Sequence, residues 1–466
     1  MGKRNVVLLQ HGLIDSSHTW ISNLPNQSLG FILSDMGYDV WLGNSRGSTY
    51  SQYHKTLDWA SQRFWQFSWD DMARNDFPAT IDFVLNQTGK NKLFYIAHSQ
   101  GTQIAFANLN SDPILRSKIS AMVALAPIAY LGNVKSPLRL LSSVCKDIDF
   151  VNTWLGSRGI LMLFSLVRFF STFLCHEKSI SFLCSSILYS FVGYDFDNTN
   201  TTRFPVYFAH APAGTSVRNM VHYCQASRFF NPLLYADSIA GKDKGDLNDH
   251  FCLISRRQPV IPSHKCSKRT NHLCWKVGMD EAAANIFLTT HDREGFSTVT
   301  TTQPWFWEWK KNDSTWSSIR QFTPPRHLDG MSVGSLKRGR FCASLHYALS
   351  VPVLLLAHFV IRTWSMSHGK FQAFDFGKEE NLLQYKQAVP PVYGLSNIDI
   401  PLKLYWGGDD WLSTPIDVCR LLNELPRRSY IRNMYLPYYN HIEFVWGLDA
   451  AKIIYPDILD FLQEFQ

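Results

Sequence analysis

Leu93 to Leu109 constrains the chain more than any other stretch. An apolar run, Leu93-Phe94-Tyr95-Ile96, enters Ala97-His98-Ser99-Gln100-Gly101, after which Gln103-Ile104-Ala105-Phe106-Ala107 continues with helical spacing. The pattern predicts a strand, a sharp turn and a helix, with Ser99 at the apex. A serine in such a turn is held in a strained backbone conformation that lifts its hydroxyl clear of the sheet. The residues two before and two after it must therefore be small. Ala97 and Gly101 meet that demand, although glycine is the commoner residue at the first position. Short patterns recur by chance, so an ordinary loop serine is the competing reading until partners are found.

Two partners lie downstream. The run Leu402-Lys403-Leu404-Tyr405-Trp406 reads as a strand emptying into Gly407-Gly408-Asp409-Asp410, which presents a carboxylate at a strand end. Asp410 is the candidate acid, against the plainer role of a turn aspartate bonded to its own backbone. Met434-Tyr435-Leu436 leads to Pro437-Tyr438-Tyr439-Asn440-His441, which makes His441 the candidate base among 16 histidines. Serine, acid and histidine in that chain order are the arrangement of α/β-hydrolases. In that chemistry His441 takes the Ser99 proton and returns it to the leaving alcohol, while Asp410 fixes the imidazole tautomer. The strand Asn5-Val6-Val7-Leu8-Leu9-Gln10 runs into His11-Gly12-Leu13, where such folds supply one oxyanion donor. The backbone N–H groups of Leu13 and Gln100 are assigned that task.

The sequence resembles the acid lipases, the gastric and lysosomal family of neutral-lipid hydrolases. The resemblance rests on Leu9-Gln10-His11-Gly12-Leu13, Trp41-Leu42-Gly43-Asn44-Ser45-Arg46-Gly47, His98-Ser99-Gln100-Gly101, Pro212-Ala213-Gly214-Thr215-Ser216 and Tyr439-Asn440-His441. It covers about residues 4 to 227 and 369 to 466. It implies hydrolysis of triacylglycerols or cholesteryl esters at a lipid–water interface, a helical lid, secretion or lysosomal residence, glycosylation, and neither metal nor organic cofactor. It also implies a disulfide between Cys175 and Cys184, which would staple the lid in an oxidising compartment. Asn26-Gln27-Ser28, Asn86-Gln87-Thr88 and Asn200-Thr201-Thr202 have the form of glycosylation acceptors. Departures from the family pattern are Ala97, Ser413-Thr414 after the acid, and Glu443 where aspartate is usual. None of them is a triad atom.

The body alternates strands with helices, so a mostly parallel, doubly wound α/β sheet is expected, with ligands at the carboxyl ends of its strands. Ser28 to Met36 reads as a helix stopped at Gly37, Tyr38 to Leu42 as a strand, and Ala121 to Ala126 as a buried parallel strand. Phe67 to Leu85 is mostly helical, with Pro78 opening the part that carries the stripe Phe77, Ile81, Val84 and Leu85. Four parts result: residues 1–130 as the first part of the core, 131–227 as the cap, 228–368 as an atypical insert, and 369–466 as the second part of the core. Within the cap, Ile160 to Phe170 is apolar nearly all round, which fits either a buried core helix or a lid helix. A membrane span needs about 20 such residues, and Arg168 interrupts this run.

Charge separates the insert from the body. Of 45 Lys and Arg and 38 Asp and Glu, residues 228–368 hold 18 and 11, which leaves 27 of each elsewhere. The body is neutral and gives no support to a nucleic-acid partner. In the insert, His250/Cys252, His264/Cys266 and His272/Cys274 match no usual zinc spacing. Ala343 to Ile361 is a poor membrane span because it contains His346, Pro352 and His358. The insert lacks sustained period and reads as translated non-coding sequence. Nine cysteines leave at least one outside any internal pair. Met1-Gly2-Lys3-Arg4 precedes the first strand without an apolar signal segment, so this chain is expected to carry no secretory signal. The competing functional class is a hydrolase-fold scaffold that cannot catalyse because the insert or a missing front strand keeps the sheet from forming.

Overall fold

The computed structural model describes residues 4–137, 169, 175, 178–194, 197–226, 275–280, 285–292, 295–300 and 369–466. The chain divides into two compact units, one of Met1–Cys252 with Pro352–Gln466 and the other of Leu253–Val351. In the first unit six strands, β1 (Val6–Gln10), β2 (Asp39–Gly43), β3 (Leu93–His98), β4 (Ile119–Leu125), β8 (Leu402–Gly407) and β9 (Ile431–Leu436), form one sheet in the order β2-β1-β3-β4-β8-β9. Every pairing is parallel. The expected doubly wound α/β sheet is therefore present.

Side-chain alternation along the strands divides the core. Leu8, Leu93, Tyr95, Met122, Ala124, Leu402 and Leu404 face one layer, where Ile81 and Val84 of α2 (Phe77–Thr88) and Ile104 and Phe106 of α3 (Gln100–Leu109) pack. Val7, Leu9, Phe94, Ile96, Val123 and Tyr405 face the other, against Leu29 and Leu33 of α1 (Leu29–Asp35) and Ile458, Phe461 and Leu462 of α6 (Tyr455–Gln463). Burial on both faces is why the inner strands read as unbroken apolar runs. Each large apolar side chain so buried contributes about 1.5–3 kcal/mol.

Pro78 has the predicted effect on the long helical stretch. A proline lacks the N–H for a normal turn and its ring crowds the carbonyl four residues back. The residues before it, Met72–Asp76, widen into a π turn, and regular α2 begins at Phe77. Gly37 and Gly89 follow α1 and α2 with φ of 87° and 64°, the left-handed exit that glycine allows.

Two further helices, α4 (Lys178–Val192) and α5 (Val217–Ala226), fall within residues 131–227. The Pro212–Ser216 motif ties α5 to the core, since the Ser216 hydroxyl donates to the Phe67 carbonyl and Trp69 N–H donates to Asn219 Oδ1 at 2.8 Å. Cys175 and Cys184 are disulfide-bonded as the resemblance implied, with Cα atoms 5.9 Å apart. The run Ile160 to Phe170 lies outside the described residues except for Phe169, which is helical and exposed. Among the described residues no helix is long and apolar enough to cross a membrane.

The second unit contains an antiparallel meander of β5 (Trp275–Asp280), β6 (Asn285–Asp292) and β7 (Gly295–Thr300). Its strands are rich in β-branched and aromatic residues, such as Val277, Ile286, Phe287, Thr289, Thr290 and Val299. Short paired strands carry little periodic signal, which is why the sequence showed no sustained pattern there. The three His-x-Cys pairs and Ala343 to Ile361 lie outside the described residues. At the boundary of the insert, a Cβ built on Gly369 would lie 3.6 Å from the Ala226 carbonyl oxygen and 2.7 Å from Gly132 Cα. The body chain leaves and re-enters at nearly the same point.

Candidate active site

The strand order changes direction between β1 and β3: β2 lies on one side of this pair, and β4, β8 and β9 lie on the other. Open α/β sheets form a crevice at such a point, beyond the carboxyl ends of the strands. Gly12 and Leu13 follow β1 there, and Ser99 follows β3. Ser99 has φ 53° and ψ −120°, the strained conformation expected of an elbow serine. Its neighbours have to be small because a Cβ on Gly101 would come within 2.9 Å of the Gln10 and His11 carbonyl oxygens.

The three residues predicted as a triad converge. His441 Nε2 lies 2.8 Å from Ser99 Oγ, and His441 Nδ1 lies 2.8 Å from Asp410 Oδ2 and 3.0 Å from Oδ1. All three are buried. Asp410 also accepts from Leu412 N–H at 2.8 Å and Ser413 N–H at 2.7 Å, so its carboxylate is held before it meets the histidine. Ser413 in turn donates its hydroxyl to the Pro127 carbonyl at 2.6 Å. The departure from the family pattern at Ser413 thus adds a tie to β4's exit. Glu443 Oε2 accepts from Asn440 N–H at 2.6 Å and braces the histidine loop.

Leu13 lies in the turn after β1, and Gln100 opens α3. The first amides of a helix have no acceptor inside it, which leaves Gln100 N–H available to an oxyanion. Gly12 lets the β1 loop approach Ser99, since a Cβ there would lie 2.9 Å from Ser99 Cβ and 3.4 Å from Ser99 Oγ. Gly12→Ala is expected to lower kcat for a soluble ester about 10²-fold or more with little change in KM, the cost of displacing one oxyanion donor. Steady-state kinetics beside a thermal melt check this; unchanged kcat would remove the loop from the site.

Residues that sequence reasoning passed over support this frame. His11 donates from Nδ1 to the Gly12 carbonyl at 2.8 Å and accepts Ser45 N–H at Nε2 at 3.0 Å. Burial pushes its pKa down to about 4, so the ring stays neutral and can keep both bonds. Gln10 reaches Ser45 Oγ at 3.0 Å, and Asn44 Oδ1 accepts Ser17 N–H at 3.0 Å, so the loop after β2 clamps the loop after β1. His98 donates from Nε2 to the His441 carbonyl at 2.8 Å. Burial, with His441 beside it, pushes His98 down to about 3. The His-Gly pair after β1 and the histidine before Ser99 were visible signals; the Ser45 and Glu443 contacts had none.

Asn26 and Asn86 are exposed, and Asn200 is half-buried with its Oδ1 accepting the Thr202 hydroxyl at 2.6 Å. Among the described residues no group of three or more His, Cys, Asp or Glu side chains is placed to hold a metal ion.

A parallel sheet with this elbow at its switch point is the architecture of an α/β hydrolase, and residues 5–147 match the family described as the alpha/beta hydrolase fold. The chain is 30% identical over 465 residues to human gastric triacylglycerol lipase, covering 99% of the chain and 81% of that relative. It is 29% identical over 460 residues to mouse lipase member K, covering 98% and 80%. It is 28% identical over 470 residues to human lysosomal acid lipase/cholesteryl ester hydrolase, covering 100% and 81%. The chain belongs to the acid lipase family, a family of carboxylic ester hydrolases.

Proposed function

We propose that this chain is a serine lipase that hydrolyses neutral lipid esters, triacylglycerol or cholesteryl ester, through Ser99, His441 and Asp410. The observation that carries the reading is the continuous hydrogen-bond path from Ser99 Oγ through His441 to Asp410, with each link at 2.8 Å. His441 Nε2 removes the Ser99 proton as Oγ attacks the ester carbonyl. The carbonyl oxygen gains charge where the Leu13 and Gln100 N–H groups receive it. Collapse expels the alcohol, which takes the proton from His441, and leaves an acyl-serine. Water then repeats the sequence and releases the fatty acid. No step calls for a metal or an organic cofactor.

The substrate class is supported by the names of the relatives, triacylglycerol lipase and cholesteryl ester hydrolase. It is also supported by α4, whose Ile187 and Phe191 are exposed and one turn apart on one face, an apolar surface suited to a lipid interface. On this reading residues 131–227 are the cap and lid. The disulfide and the acceptors Asn26, Asn86 and Asn200 favour passage through an oxidising secretory route and a secreted or lysosomal site of action.

The core of 1–130 and 369–466 closes without the insert on this reading, because Gly369 abuts Ala226. A chain with Ser227 joined directly to Gly369, lacking 228–368, is expected to fold and to react with a fluorophosphonate at Ser99. Labelling of both this form and the full chain, lost in Ser99→Ala, is the expected result. No labelling of either form overturns the lipase reading, and labelling of the full chain alone shows that the body needs the insert.

A further inference from the structure

The end of α4 sits on the loops that carry both the acid and the base. Helix α4 ends at Val192, and its last turn closes through Gly193 N–H donating to the Tyr189 carbonyl at 2.9 Å. The last carbonyls of a helix have no partner inside it. Here the Val192 carbonyl accepts two amides from elsewhere, Trp411 N–H at 3.2 Å and His441 N–H at 3.3 Å. Trp411 follows Asp410 directly, so one oxygen ties the acid loop to the base loop. On its other side the His441 peptide is held by His98, the residue before Ser99, through the bond to its carbonyl. The base is thus suspended by its backbone between the cap helix and the nucleophile elbow.

Gly193 makes this seating possible. It has φ 113°, and a Cβ there would lie 1.8 Å from the Asp409 carbonyl oxygen and 3.1 Å from Asn440 Cβ. Backbone is packed on backbone, with no flexible side chain to yield.

We propose that the Val192-Gly193 terminus of α4 is a positioning element of the hydrolase site, with its carbonyl setting the distance between Asp410 and His441 and Gly193 admitting it. The proposal rests on the triad reading above. It also follows that the cap is more than a cover, since a shift of α4 releases the acid and base loops from each other.

Gly193→Ala in the full chain tests this. A misplacement of about 1 Å costs on the order of 10²-fold in rate. The expected result is a loss of kcat on that scale with KM little changed. Gly89→Ala is the control, because Gly89 has φ 64° and nothing within 4 Å of a built Cβ, so it shares the backbone strain without the contact. Its kcat is expected to stay at the wild-type level. Wild-type kcat in Gly193→Ala overturns the proposal, while failure of the wild-type chain to label at Ser99 overturns the triad reading instead. If Gly193→Ala does not fold, hydrogen exchange on the wild-type chain decides: the Trp411 and His441 amides should open together with the last turn of α4. Opening only with strands β8 and β9 sinks the idea.

Discussion

Ser99→Ala is expected to abolish ester hydrolysis, lowering kcat by about 10⁶-fold while the thermal melt stays near that of the wild-type chain. The magnitude is that of removing the nucleophile from an assembled triad, after which only binding and the oxyanion donors remain. The fold should survive because Ser99 holds an energetically unfavourable conformation, φ 53°, and its hydroxyl bonds only His441 among the described contacts. Alanine removes that bond without opening a large cavity. The measurement is turnover of a soluble short-chain ester beside mass-spectrometric mapping of the fluorophosphonate adduct. Turnover within tenfold of the wild type, or an adduct on another serine, would take Ser99 out of its role.

The second large effect is expected from Asp410→Asn, about 10⁴-fold in kcat. The carboxylate is already oriented, because its Oδ1 accepts the Leu412 and Ser413 amides. An asparagine keeps its oxygen on those amides and turns its NH₂ toward His441 Nδ1, where Oδ2 now lies at 2.8 Å. Nδ1 must then accept, which places the single ring proton on Nε2. A protonated Nε2 cannot take the Ser99 proton. The loss thus arises from the wrong tautomer with little change in geometry, so KM and the melting temperature should hardly move. A variant that keeps more than a tenth of wild-type kcat would show that Asp410 is not the acid, with Asp409 beside it the next carboxylate to test.

Both predictions follow from residues that were legible before any coordinates. The elbow could be read because its demands are local: an apolar strand, a serine and a small residue on each side, then a helix that starts at once. The chain order of Ser99, Asp410 and His441 and the strand that precedes each were equally local. The Phe77, Ile81, Val84 and Leu85 stripe and the effect of Pro78 were legible for the same reason, since period and proline chemistry act within a few residues. The meander of Trp275–Asp280, Asn285–Asp292 and Gly295–Thr300 was not, because pairing between short strands leaves no mark within any one of them.

The sequence by itself determined the sheet class, the triad candidates and the family, since each is written in contiguous side-chain types. Only the tertiary structure decided what holds them. The support comes from His98 Nε2 on the His441 carbonyl, His11 on Ser45 N–H, and the Val192 carbonyl on the Trp411 and His441 amides. All three involve backbone atoms of residues far apart in the chain, and two turn on a carbonyl oxygen, which every residue possesses. A carbonyl carries no signature in an amino-acid sequence; its role exists only once the helix ends where the loops of β8 and β9 arrive.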